Sequence, residues 1–299
     1  MVETVIDPTA GSGAFLTDTS PELRERIARI RKTFWVTYPA GRQALEHLES
    51  LFDHPKTHRP PCCTLYGDTN SGKTQIALKF ERDHKPAEQK GDEQAVMPVV
   101  LVQNPPFGDV RSFYSQILAR IGAPRPDGVR PDRALAQVLV QLDRLKARVL
   151  IVDEVQHVLA GKIDQRMIFM NSLKFLSNEL QIPVVAIGPI GALRALYTDP
   201  QLANRFEALQ LPRWQPDRDY AEFLTQLTAQ MGLGQKSEFK KKDLVTRVHS
   251  MTEGLTGETR ALIGRAAETA MRSGREVIDM ETLEETPWHR PGDRKRNAG

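Results

Sequence analysis

The residues best suited to chemistry lie in the stretch Gly67-Asp68-Thr69-Asn70-Ser71-Gly72-Lys73-Thr74. Gly67, four intervening residues, then Gly72, Lys73 and Thr74 spell G-x-x-x-x-G-K-[ST], the pattern of a phosphate-binding loop. The glycines let the backbone wrap an anion, and a helix starting at Lys73 and running through Gln75 aims unpaired N–H groups at it. In such a loop Lys73 reaches the β- and γ-phosphates and the Thr74 hydroxyl ligates Mg²⁺. The expected cofactors are therefore ATP and Mg²⁺. A second constellation follows the apolar run Val149-Leu150-Ile151-Val152, which ends in Asp153-Glu154. Asp153 at a strand's carboxyl end would hold the metal through water. Glu154 would polarise the attacking water as a general base.

Other candidates surround these two. Arg205, just before the last strand pattern, could project onto the nucleotide of a neighbouring copy as an in-trans finger. Arg260 opens a helical pattern and could report the γ-phosphate to a second domain. His157 either relays nucleotide state or is structural. Trp35, Tyr38 and Pro39 either line an adenine pocket or pack in a core. Arg111, Lys162 and Arg166 follow strand ends and are candidates for sequence-independent contacts to duplex DNA phosphates, with ordinary solvated charge as the alternative.

These residues need a sheet to position them. Apolar runs at 63–66, 96–102, 149–152, 183–187 and 208–211 read as buried strands. Helical patterns lie between them, so the fold class is α/β with a parallel sheet. After Pro212 only helical patterns remain, over about 220–231, 244–251, 260–271 and 281–285. The expected organisation is a mobile arm over 1–19, an α/β core over 20–213, a helical lid over 214–286 and a basic disordered tail over 287–299. With 299 residues and a net charge of +3, composition alone announces no nucleic-acid partner. The two cysteines, Cys62 and Cys63, are adjacent, which suits small strand residues in a reduced cytoplasm better than a disulfide or metal site. No apolar run approaches the ~20 residues of a membrane span, and the N-terminus lacks a secretory pattern.

One pair of stretches points elsewhere. Asp7-Pro8-Thr9-Ala10-Gly11-Ser12-Gly13-Ala14-Phe15 and Asn104-Pro105-Pro106-Phe107 resemble the cofactor loop and catalytic tetrapeptide of adenine-N6 methyltransferases. The phosphate loop lies between them with its own strand and helix, and one parallel sheet cannot easily serve both sites.

Taken together, the chain resembles an AAA+ ATPase, and more closely the TniB family of transposition ATP-binding proteins, relatives of TnsC and MuB. The resemblance runs from about Ser20 to Asp279. It is carried by Trp35-Val36-Thr37-Tyr38-Pro39, the Gly67–Thr74 loop, Val152-Asp153-Glu154-Val155-Gln156-His157, Asn204-Arg205-Phe206 and Leu211-Pro212-Arg213-Trp214. It implies an AAA+ P-loop core with a C-terminal helical lid and ATP-dependent assembly of copies, as a ring or helical filament, on duplex DNA. It also implies recruitment of a DDE-type transposase, with a target-selection protein as a further partner, at the bacterial nucleoid. Rival expectations are a helicase or initiator-loader ATPase and a nucleotide switch that binds no nucleic acid. One departure stands out. The family usually carries a polar residue after the fourth strand to sense the γ-phosphate, whereas here Gly188 is followed by Pro189.

Overall fold

A computed structural model describes residues 20–32, 34–86, 95–106, 109–124, 128, 130–159, 163–197 and 203–296. The expected arm over 1–19, Lys162, Phe107 and the stretch 7–15 lie outside the described residues. The chain forms two compact units, Thr37–Arg213 and a second made of Met1–Val36 with Trp214–Gly299.

In chain order the first elements are α1 (Pro21–Arg31) and α2 (Pro39–Phe52), each with proline in its first turn, where a missing N–H costs no hydrogen bond. They are followed by β1 (Cys62–Tyr66), α3 (Lys73–Asp83), β2 (Val99–Gln103), α4 (Val110–Arg120) and α5 (Pro131–Arg144). Then come β3 (Val149–Asp153), α6 (Gln156–Leu159), α7 (Ile163–Leu180), β4 (Val184–Gly188), α8 (Ile190–Leu196) and β5 (Phe206–Gln210). The last are α9 (Arg218–Ala229), α10 (Lys242–Thr252), α11 (Thr256–Ser273), α12 (Met280–Glu285) and α13 (Pro291–Arg296).

The five strands of the Thr37–Arg213 unit form one parallel sheet in the order β2-β3-β4-β1-β5. β3 and β4 are buried along their whole length, as strands covered by helices on both faces must be. One face is packed by Phe113 and Ile117 of α4, Val138 and Leu142 of α5, and Phe169, Leu173 and Leu176 of α7. Cys62 and Cys63 are buried free thiols, as expected of strand residues. β5 starts at Phe206, two residues before the apolar pattern suggests, because Phe206 pairs with Cys62. α6 and α8 are too short to show a helical period in the sequence.

The other unit corrects two expectations. α1 does not belong to the α/β core. Its apolar stripe, Leu23, Ile27 and Ile30, is buried within the helical unit, where Ile30 lies against Gly264 of α11. Arg26 forks onto Glu276 at 2.8 and 2.6 Å, and Arg31 meets Glu268 at 3.3 Å. An amphipathic helix buries its stripe wherever a matching face is free, and sequence adjacency to the core does not decide which face that is. The lid boundary expected near 214 falls at Arg213/Trp214. The basic tail is ordered through residue 296: Trp288 Nε1 donates to the Met251 carbonyl at 2.8 Å, and Arg294 forks onto Glu258 at 3.1 and 2.8 Å. Specific hydrogen bonds hold it, which composition alone does not reveal.

Replacing Ile27 by Ala should therefore destabilise the helical unit by about 2–4 kcal/mol. Urea unfolding followed through the tryptophans checks this. A variant as stable as the parent would return α1 to the status of a loose appendage.

Candidate functional site

All five strands run the same way, so their carboxyl ends lie along one edge of the sheet. The loop after β1 and the acidic pair after β3 meet there, although β4 separates their strands. Leu65 pairs with Ile187, and Val152 with Ala186, which brings Tyr66 and Asp153 to nearly the same level. The contact closes with a hydrogen bond: the Thr74 hydroxyl donates to Asp153 Oδ2 at 2.7 Å. Asp153 is 5% exposed, and its other oxygen accepts the Glu154 N–H at 2.8 Å.

The loop is shaped by backbone requirements. A Cβ on Gly67 would stand 2.5 Å from the Leu211 carbonyl oxygen, so only glycine fits beside the exit of β5. Gly72 has φ +97° at the start of α3, and no side chain caps that helix. The N–H groups of the first turn are thus left to the loop. Lys73 lies across it, donating to the carbonyls of Gly67 at 2.9 Å and Asp68 at 2.7 Å and to Ser71 Oγ at 3.2 Å. Burial pushes the Lys73 ammonium below the ordinary lysine range, and Asp153, Glu154 and Asp68 pull it back. Thr69, Asn70 and Gln75 are exposed around the same loop, Asn70 in the left-handed region at φ +65°.

Glu154 also has a left-handed backbone, φ +58°, a conformation costing a residue with a Cβ about 1–2 kcal/mol. Its carboxylate accepts from the Gln156 amide. His157 stands 3.7 Å from the same oxygen through Nε2, with Nδ1 3.2 Å from the Asn104 carbonyl. Asn104 itself is 1% exposed and held by its N–H to the Asp153 carbonyl at 2.8 Å. Sealed beside β3, it has no room to grip an extruded base as a methyltransferase tetrapeptide must.

Three further expectations meet a different geometry. Arg205 sits at the opposite end of β1 from the loop, where its carbonyl accepts from Cys62 N–H at 3.1 Å. Its guanidinium is held by Asn178 Oδ1 and Ser177 Oγ, both at 2.8 Å, on the wall of a groove of about 950 Å³ that also carries Arg59 and Lys174. Tyr38 is buried with its ring over Gly41, which a Cβ would crowd at 2.7 Å, and exposed Pro39 opens α2. Trp35 falls in the helical unit. Arg260 also lies in the helical unit, in the second turn of α11. It donates to the Lys32 carbonyl at 2.6 Å and stacks over Phe34 at 4.8 Å, and burial lowers its pKa. Of the DNA candidates, Arg111 is exposed and lines a groove with Gln165 and Ile168, while Arg166 is half-buried.

The profile of the family described as Bacterial TniB protein matches residues 26–216, more than half of the chain. The chain belongs to the TniB family. Among curated proteins, none matches its sequence. Among solved structures, the ORC1 protein of Aeropyrum pernix in complex with DNA is similar at TM-score 0.62 and 17% identity, over 87% of this chain and 68% of that one. CDC6P from Pyrobaculum aerophilum is similar at TM-score 0.59 and 18% identity, over 87% and 69%. The RuvB Holliday junction branch migration motor of Thermotoga maritima follows at 0.54 and 13%, over 86% and 72%. Identities this low speak to the fold alone. This TniB chain has the AAA+ architecture, a parallel α/β sheet with a C-terminal helical domain.

In this TniB-family site the residues fit a nucleotide triphosphate with Mg²⁺. An uncapped helix start, a cradle closed to any Cβ at Gly67 and a partly buried ammonium suit the phosphates. The Thr74 hydroxyl and Asp153 carboxylate, already in contact, are hard oxygen donors. Mg²⁺ is usually held by one or two carboxylates plus phosphates and water, a requirement these two donors fit. Arg213, to which the sequence motifs assign no role, places its Nε 2.5 Å from Asp68 Oδ2 on the loop. Its place in Leu211-Pro212-Arg213-Trp214, straight after the last strand, was the available signal.

Thr74→Val keeps the shape but leaves the buried Asp153 one donor short. We expect a loss of about 1–3 kcal/mol in thermal or chemical unfolding of the nucleotide-free protein. No change in stability would mean that the bond is incidental.

Proposed function

We propose that this chain is an ATPase that binds ATP with Mg²⁺ at Gly67–Thr74 and Asp153 and assembles in that state with further copies on duplex DNA. The assembled copies would present the DNA to a DDE-type transposase, with slow hydrolysis ending the complex. The observation that carries the reading is the Thr74–Asp153 contact, which joins the two nucleotide motifs in a chain of the TniB family.

Bound nucleotide would supply a γ-phosphoryl group and the metal its charge neutralisation; the remaining roles belong to side chains. Lys73 offers a cation to the phosphates from a partly buried position where water screens it little. Thr74 and Asp153 would hold the metal. Glu154 accepts the proton of the attacking water. Arg213, paired with Asp68, adds positive charge beside the loop. Arg205 is directed away from its own loop, so its use as a finger requires a second copy, facing the groove that carries Arg59, Lys174 and Arg205. Exposed Arg111, and Arg166 with Lys162, would meet DNA phosphates. The resemblance to DNA-bound ORC1, to CDC6P and to RuvB favours a second reading, an initiator- or helicase-type ATPase. Pull-down of a transposase separates the two.

Lys73→Ala should abolish ATP binding in calorimetry and, with it, ATP-dependent assembly on DNA in electron microscopy. Unchanged affinity would sink the nucleotide reading. Arg205→Ala should leave ATP affinity of the monomer intact while lowering hydrolysis by about 10³-fold or more. Mixing it with Glu154→Gln subunits should restore some activity, because one variant keeps the arginine and the other the base. Mixed oligomers without recovered hydrolysis would rule out action in trans.

A further inference from the structure

The end of β4 carries no polar side chain that could steady the base or the water, because Gly188 is followed by Pro189. The packing shows why none can be placed at Gly188. A Cβ there would stand 2.8 Å from Ala192 Cβ, 3.1 Å from Val155 Cγ2 and 3.0 Å from Gln156 Oε1. The space beside the strand end is thus already taken, and the polar group in it is the Gln156 amide.

The orientation of that amide follows from its partners. An ionised carboxylate only accepts hydrogen bonds, so the N–H₂ side faces Glu154 Oε2. Oε1 then faces the end of β4, buried and without a hydrogen-bond donor. The backbone holds this arrangement from both sides: Val155 N–H donates to the Ile187 carbonyl at 3.1 Å, and Glu154 is fixed in its left-handed turn by its own N–H on Asp153. Gln156 therefore spans the general base and the end of β4.

We propose that Gln156 is the positioning residue for Glu154 and supplies from the β3 side the polar group that the end of β4 cannot carry. This rests on the ATPase reading given above. Without the amide, the Glu154 side chain would lose the hydrogen bond that fixes its rotamer, while His157 would remain 3.7 Å away. A carboxylate so released spends little time where it can take a proton from water. Binding of the phosphates, which depends on the Gly67–Thr74 loop, would not change.

Two variants of nearly equal length test this in the full-length protein. Gln156→Glu keeps the shape and removes the donor, setting a second carboxylate against Glu154. Gln156→Met keeps the packing against Gly188 and Ala192 without hydrogen bonding. Both should lower kcat for ATP on the order of 10²-fold, with KM and the affinity for ADP, read by displacement of a fluorescent nucleotide, unchanged. In a Glu154→Gln background neither should lower the residual rate further, since the group being positioned is already gone. Wild-type kcat in both variants overturns the proposal. So does ADP affinity that falls by the same factor as kcat, which would mark a structural role, or losses that multiply in the double variants. If the unaltered protein hydrolyses no ATP, the ATPase reading itself fails and this inference fails with it; if Glu154→Gln leaves hydrolysis intact, Glu154 is not the base and the inference is overturned while the ATPase reading stands.

Discussion

The hydrogen bond from Thr74 to Asp153 ties together two motifs whose strands are separated by a third, β4, which pairs with both. β4 lies between β1 and β3, and all three run parallel, so their carboxyl ends share the edge at which the bond forms. Gly188 ends it without a side chain, and Ala192, Val155 and Gln156 close in to the limit that a missing Cβ permits. Gly67 does the same on the other flank against Leu211. At these two glycines it is close approach, and not a left-handed backbone, that a Cβ would forbid.

Charge in the site is balanced rather than merely concentrated. Burial works against the Lys73 ammonium, and three nearby carboxylates offset it. Asp153 is buried, yet its oxygens are met by a hydroxyl and a backbone N–H. Arg213 answers Asp68 at the loop's outer edge. Such a site holds a cation and an acid close together without collapse, because each charged group has a hydrogen-bonding partner supplied by a rigid element. A polyphosphate and a divalent ion would add opposite charges to the same balance.

The helical unit is built from both ends of the chain. α1 precedes the α/β unit and the helices α9 to α13 follow it, and they are joined by the buried stripe of α1 and by the Arg26–Glu276 fork. Glu276 is held low in pKa chiefly by that arginine, and it accepts the Gly234 N–H as well. In sequence terms the α/β unit is an insertion between α1 and α9. At the other end of the unit, Glu253, Glu258 and Met251 hold the last described turn in place through Gly292, Arg294 and Trp288.

Local pattern was enough for the parallel sheet, the phosphate loop, the acidic pair after β3 and the change to helices after Pro212. A G-x-x-x-x-G-K-T run between an apolar strand and a helix, or four branched or leucine residues before Asp-Glu, is specified by neighbours a few positions apart. The partnership of α1 was not legible, since an amphipathic stripe states that it will be buried but not by what. Nor was the hold of Ser177 and Asn178 on Arg205, or of Lys32 and Phe34 on Arg260, because those partners are 28, 27, 228 and 226 positions away along the chain. The approach of the Gln156 amide to Gly188 belongs to the same class. Only the packing of α6 and α8 against the end of β4 decides which of two neighbouring strands carries the polar group, and that packing is a property of the folded chain.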